Sequence, residues 1–295
     1  MPLQQLVEYF NDRFEHEHHS HFRPIILEEG IASALFGPIR INSQFMPLRQ
    51  VQQPEIISGY SAQIAVTTYD PATLPAQQLE YLLEPSSSRG VNFDSIVNFD
   101  RLARTVHMLN FLPTAHLQHT LFLEVDPRHI LGVKHDHGAY FEEVIHKCGL
   151  ETHNIVIVTG LSVYGTKYYQ GLLQGLANYQ QRGYQIALRL NYLANENSLL
   201  DYVKQAKPNY VLLSVRAMEE QLAQENIRQK VEEIQTLANS VGGRVVLQHV
   251  HEKQFDQLAR DSGIELVSGN YYRSIAFNYR HHLQLNGYNL SVLNH

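Results

Sequence analysis

The chain is predicted to be an α/β protein, a TIM-like (β/α) barrel preceded by a small N-terminal extension. Three observations carry this. From 155 to 275, apolar runs alternate with amphipathic stretches: IVIV at 155–158, YQIAL at 184–188, YVLL at 210–213, RVVLQ at 244–248 and IELV at 264–267. Strand–helix repeats of about 25–30 residues without hairpin turns force parallel strands and right-handed crossovers. Counted from TLFLEVD and joined by two strands near Phe45 and Ser61, the runs give about eight strands, enough to close a barrel.

Taken in order, QQLVEYFNDRF reads as a short helix with Leu6, Tyr9, Phe10 and Phe14 on one side, followed by the polar run EHEHHSH. FRPIILEEGIASALFGPIRI contains two strand-like pieces divided by Glu28, Glu29 and Gly30, the pattern of an antiparallel hairpin. The expected division is an extension over 1–41 and a barrel over 42–295. INSQFMPLRQ is strand-like, and Pro47 argues against a central strand or marks its end. VQQPEI is a turn and SGYSAQIAVTT a second strand. A polar loop around 85–88 leads to a helix beginning near Phe93. TLFLEVD is a strand followed by Pro127 and a turn, and GAYFEEVIHKCG is a helix ended by Gly149. GTKYYQGLLQGLANYQQRG places Leu172, Leu173, Leu176 and Tyr179 on one helical face and stops at Gly183. SLLDYVKQAK, KVEEIQTLANSVGG and EKQFDQLARDSG are further helices, and the C-terminal FNYRHHLQLNGYNLSVLNH reads as a helix and a frayed tail.

The 295 residues fit one large barrel, and a 44% hydrophobic content is ample for its core. A net charge of -6 without a basic cluster argues against a nucleic-acid partner. Cys148 is the sole cysteine, so no intrachain disulfide can form. No stretch approaches the ~18–20 apolar residues of a membrane span. MPLQQLVEYFNDRF has no basic or apolar leader region, so a cytoplasmic location without membrane insertion is expected.

Barrels of this class do their chemistry at the C-terminal ends of their strands. Here those ends carry Thr159, Arg189 and Leu190, Ser214, Gln248 and His249, and Ser268, with no acidic residue among them. The order and spacing of segments over about 42–275 resemble the EAL domain, the cyclic di-GMP phosphodiesterase barrel of bacteria. QFMPLRQVQQPEIISGYSAQIAV is similar to the family's opening QPI…GxEALLR strand pair, and NFDRLARTVHML to the helix after it. TLFLEVDPRHI resembles the LSVNLS strand and HNIVIVTG the LELEITE strand. RGYQIALRL resembles GVRLALDDFGTG, and KPNYVLLSVRAM resembles DRLKIDRSFV. GGRVVLQHVHEKQFDQL is similar to LEVVAEGVETEEQL and ELVSGNYY to LVQGYLF.

The resemblance implies a two-metal phosphodiesterase site, in which paired cations activate water and neutralise phosphate charge. Hard oxygen ligands suit magnesium or manganese there. Carried over position by position, the glutamate of EAL falls at Ser61, the asparagine at Glu124 and the strand glutamates at Ile157 and Gly160. The aspartate pair falls at Arg189 and Leu190, the lysine at Leu212 and the aspartate after it at Ser214. The late glutamate falls at Gln248 and its partner at His251. Only Glu124 keeps a carboxylate, so no catalytic residue, no metal ligand set and no bound magnesium or manganese are expected. The nucleotide-holding Gln and Arg fall at Met46 and Ala65, and the DFGTG loop is replaced by NYLANEN. Met46, Arg189, Gln248 and Tyr271 are the candidate ligand contacts should cyclic di-GMP still bind.

Other clusters read more simply. His16, His18, His19 and His21 form a polar connector, and His135, Asp136 and His137 a turn before a helix. GLSVYG lacks phosphate-loop spacing. The resulting expectation is a catalytically inactive EAL-type regulator acting through a protein partner, with a homodimer as one form of pairing. The alternatives are a non-hydrolysing cyclic di-GMP receptor and, behind it, a phosphodiesterase with residual activity.

Overall fold

The computed structural model describes residues 2–18, 21–37, 39–68, 93–117, 119–133, 137–160, 168–190, 196–222 and 224–272. The opening helix, α1 (Leu3–His18), buries Leu6, Val7 and Phe10. It runs further into the polar stretch than its apolar pattern, and Arg13 pairs with Glu17 one turn on. The expected hairpin forms from β1 (Ile25–Glu28) and β2 (Ile31–Phe36). Its turn puts Glu29 and Gly30 both at positive φ (51° and 80°), matching the strand twist.

β3 (Ile39–Gln50) pairs with β4 (Ile57–Thr68) along its whole length and with β2 over Ile39 to Ile41. A division at 41 therefore falls inside a strand, and Leu6, Phe10, Ala32 and Ala34 share one core with the barrel helices. Pro47 sits within β3 rather than at its end. At that position only β4 is a partner, because β2 leaves after Ile41 and the final strand joins at Arg49. An edge without a ladder is where a missing N–H is tolerated.

The chain then follows α2 (Phe93–Phe111), β5 (Thr120–Glu124), α3 (Pro127–Gly132), α4 (Ala139–Lys147) and β6 (Ile155–Gly160). It continues through α5 (Tyr169–Gln181), β7 (Gln185–Leu190), α6 (Glu196–Ala206), β8 (Tyr210–Ser214) and α7 (Val215–Gln221). It closes through α8 (Gln224–Ser240), β9 (Arg244–Gln248), α9 (Lys253–Asp261) and β10 (Leu266–Val267). β4 through β10 run parallel in order, and β3 closes the ring antiparallel to β4 and β10. The result is a closed eight-stranded mixed barrel, as the strand count predicts. Two short helices differ from the sequence reading. α3 replaces a turn because Pro127 supplies the helical φ at N1 and Asp126 caps it, accepting from Arg128 N at 2.8 Å. α7 starts directly from β8, with Ser214 Oγ accepting from Ala217 N at 3.2 Å.

Alternation along the strands sorts the apolar residues into two sets. Leu48, Phe122, Val156, Val158, Ala187, Tyr210, Leu212, Val246 and Leu266 fill the lumen. Their strand neighbours, such as Leu121, Leu123, Ile186, Leu188, Val211 and Val245, pack under the helices. Cys148 caps α4, its thiol pushed up to about 12 by burial, so it is a packing residue. His137 is buried, with Nε2 2.6 Å from Ile130 O and Nδ1 3.0 Å from Asn178 Nδ2, a structural role. His135, Asp136 and the C-terminal stretch from 273 lie outside the described residues, as do 161–165 and 191–195. No helix of the described residues is long and apolar enough to cross a membrane.

His107 lies on α2, 3% exposed, with Nδ1 2.7 Å from Ser43 Oγ. Burial pushes its pKa down to about 4, against the pull of Asp100 and with the help of Arg104. The unfolded chain therefore takes up a proton near pH 6.5 that the folded imidazole refuses. Stability is complete above that pH and falls as pH drops toward 4. At about 1.36 kcal/mol per unit, His107 alone removes about 2 kcal/mol between pH 6.5 and pH 5. His129 and His249, also depressed chiefly by burial, act in the same direction. Urea unfolding at both pH values should show this loss, and His107→Gln should flatten it; an unchanged slope in the variant would remove His107 as its source.

Candidate functional site

The C-terminal ends of the strands form the mouth of the barrel. Residues with the parity of the lumen set point into it: Glu124 on β5, Gly160 on β6, Arg189 on β7, Ser214 on β8 and Gln248 on β9. Ser61 belongs with them, since it pairs with Phe122 and with Met46 across β3. Arg189 Nη1 on β7 donates to Glu124 Oε1 on β5, crossing β6 between them. Gln248 is buried, and its Oε1 has no hydrogen-bond partner among the described residues.

Beyond β9 the chain turns through His249 at φ 60°, a left-handed position unusual for a non-glycine residue. Ser214 Oγ lies 2.8 Å from His249 Nδ1, so one hydroxyl both caps α7 and fixes the imidazole. Burial lowers the His249 pKa, and Arg189, Arg216 and His251 lower it further, which favours a neutral ring there. His251 Nδ1 is 2.8 Å from His249 O, and its Nε2 lies 3.7 Å from Glu219 and 3.8 Å from Glu252. Tyr271 follows β10, donates its N–H to Val250 O and stacks edge-on against Tyr272.

The structure thus brings Ser61, Met46, Glu124, Arg189 and Gln248 to one end of the lumen, and sets His251 on the loop after β9 and Tyr271 in the helical turn after β10 beside it. Three expected positions stand elsewhere. Ile157 and Leu190 face outward into the helix-packed core, because each has the parity opposite to Val158 and Arg189. Leu212 faces inward but one layer below the mouth, among the apolar lumen residues. Sequence reading missed α7, which brings Arg216 and Glu219 to the rim. Its one signal is Ser214, a good N-cap residue at a strand end.

Among the described residues, the lumen-facing side chains Glu124, Gln248, Ser61 and Ser214 supply one carboxylate already paired with a guanidinium, one amide and two hydroxyls. Two divalent cations require several hard anionic oxygens. These residues do not fit such a pair. Among the described residues no three His, Cys, Asp or Glu side chains are grouped to hold a metal. A cavity of about 410 Å³ does exist, but at the opposite end of the barrel, between the N-terminal ends of the strands.

No protein-family model matches the sequence, and no curated protein matches it. Solved structures do. The YkuI protein of Bacillus subtilis, with an EAL domain and in complex with substrate c-di-GMP and calcium, is similar with a TM-score of 0.59 at 17% identity. That match covers 78% of this chain and 54% of that one. The EAL domain of Xanthomonas citri FimX in complex with c-diGMP has a TM-score of 0.57 at 14% identity, over 91% of this chain and 92% of that one. A standalone versatile EAL protein from Vibrio cholerae O395, in its c-di-GMP bound form, has a TM-score of 0.56 at 17% identity, over 78% and 90%. The chain spans just over half the length of YkuI and of Klebsiella pneumoniae BlrP1 (54% and 57%). Its fold is that of the EAL domains: a closed eight-stranded barrel with one antiparallel strand.

Proposed function

We propose that this chain is an EAL-type barrel that neither hydrolyses nor holds cyclic di-GMP, and that it works as a regulatory protein by contacting another protein. The observation that carries this reading is the Arg189–Glu124 pair across the mouth. A cation stands where a phosphodiesterase needs anionic metal ligands, and it pairs with Glu124, the one carboxylate among the described residues that faces into the lumen. Around it, Ser61, Ser214 and Gln248 offer only neutral donors. A protein partner would engage the outer surface. The N-terminal extension adds exposed Ile31 (62%) and Phe22 (45%) to it, the kind of side chain that protein partners cover.

Calorimetric titration of the full chain with cyclic di-GMP, with magnesium or calcium present, is the test. No heat is expected at high nucleotide concentration, and no shift in unfolding temperature. Micromolar binding would overturn the reading in favour of a non-hydrolysing receptor, which the nucleotide-bound EAL structures favour as the second choice. At a hundredfold excess over Kd, such a receptor would gain about 2.7 kcal/mol of stability. Manganese-dependent hydrolysis abolished by Glu124→Ala would revive an enzyme. Glu124→Gln should cost under about 1 kcal/mol of stability, because the Glu124 side chain is 53% exposed and its ion pair is screened.

A further inference from the structure

The cavity at the N-terminal end of the barrel is unlike the mouth in every respect that matters for ligands. Its floor is the apolar lumen layer, Leu48, Phe122 and Leu266, with the rings of Phe122 and Tyr210 4.9 Å apart. Its wall carries Gln50 and Ser58, 3.4 Å apart and both half-buried. Its rim is Arg244. The guanidinium lies 5.0 Å over the Tyr210 ring and donates through Nη2 to the Tyr210 hydroxyl at 2.8 Å, and Tyr210 itself is only 3% exposed. Arg244 Nη1 is 3.7 Å from Glu265, beyond hydrogen-bond distance, on a carboxylate 69% exposed. At about 410 Å³, the cavity falls within the size range of small-molecule sites.

We infer that this cavity binds a small monocarboxylate with an apolar body, its carboxylate on Arg244 and its body on Leu48, Phe122 and Leu266. The charges select the class. A single guanidinium, anchored by the hydroxyl of buried Tyr210, suits a planar carboxylate bound through two N–H donors. Glu265 beside it opposes a second negative charge, which excludes phosphates and other polyanions. The floor has no charged group, so the rest of the ligand is uncharged and gains by burial. The inference is independent of the mouth and of any nucleotide.

Octanoate and hydrocinnamate are the probes, titrated into the full chain and followed by calorimetry and by ligand-observed NMR. Binding of at least one is expected in the parent chain. It should weaken at least tenfold in Arg244→Gln, weaken less in Arg244→Lys and persist in Arg189→Gln at the mouth. Hexanedioate, with a second carboxylate, should bind more weakly than octanoate. Arg244 is half-exposed at the rim, so both variants should fold, and circular dichroism checks this. A second variant, Ser58→Phe, fills the cavity without touching Arg244 and should also abolish binding. Failure of both probes to bind the parent at millimolar concentration overturns the inference, as does equal affinity in Arg244→Gln and the parent.

Discussion

Replacing Asp100 by alanine is expected to lower the unfolding free energy by about 3–5 kcal/mol, among the largest effects of any single side chain here. Asp100 sits on α2 with its side chain 10% exposed, and Arg104, one turn on, is 1% exposed. Arg104 Nη2 donates to Asp100 Oδ2, and His129 Nδ1 from α3 lies 3.0 Å from the same oxygen. Burial alone would raise the Asp100 pKa, but Arg104 and His129 outweigh it and hold the carboxyl below its ordinary value. The Arg104 guanidinium also lies 3.7 Å over the Phe141 ring of α4, so one ion pair ties three helices together. Removing the carboxylate leaves a cation buried without its counter-charge.

The paired replacement, Asp100→Leu with Arg104→Met, should recover most of that loss. It removes both charges together, along with Arg104 Nη1, which has no hydrogen-bond partner among the described residues. Urea unfolding of the single and double variants measures this. A double variant as unstable as the single would show that packing, not charge, sets the cost.

Gly269→Ala is the second large effect, expected to cost about 3 kcal/mol or more. Gly269 has φ +152°, and a Cβ there would fall 2.0 Å from Val250 O and 2.5 Å from Val250 N. Neither atom can yield without moving backbone. Val250 N–H donates to Ser268 O at 3.0 Å and Tyr271 N–H to Val250 O at 3.2 Å, so this contact locks the end of β10 to the loop after β9. That loop carries His249 and His251. The variant should therefore lose stability and also shift the His249 resonances that report its bond to Ser214. Parent-like stability would mean that the loop can move aside freely.

Much of the barrel was legible because periodicity is local. The apolar runs at 155–158, 210–213 and 244–248 lie within strands that are buried on both faces, and each amphipathic stretch between them became a helix. The hairpin was legible from Glu29 and Gly30. The short helices α3 and α7 were not, since six or seven residues show too little periodicity to stand out from a turn. The candidate site was legible only in part. Matching motif letters placed Ile157 and Leu190 at the mouth, whereas the side a residue faces depends on strand parity, and a one-residue displacement reverses it.

The sequence by itself determined the alternation of strands and helices, their order around the barrel, and the neutral and basic residues at the ends of the later strands, because each is written in residues close together. Only the tertiary structure decided that Arg189 crosses to Glu124, that Asp100 binds Arg104 and His129, and that Leu48, Phe122, Tyr210, Arg244 and Leu266 enclose one cavity. Closure of the ring makes these neighbours. β3 meets β10 across more than two hundred residues of chain, and no local pattern encodes which side chains that closure brings face to face.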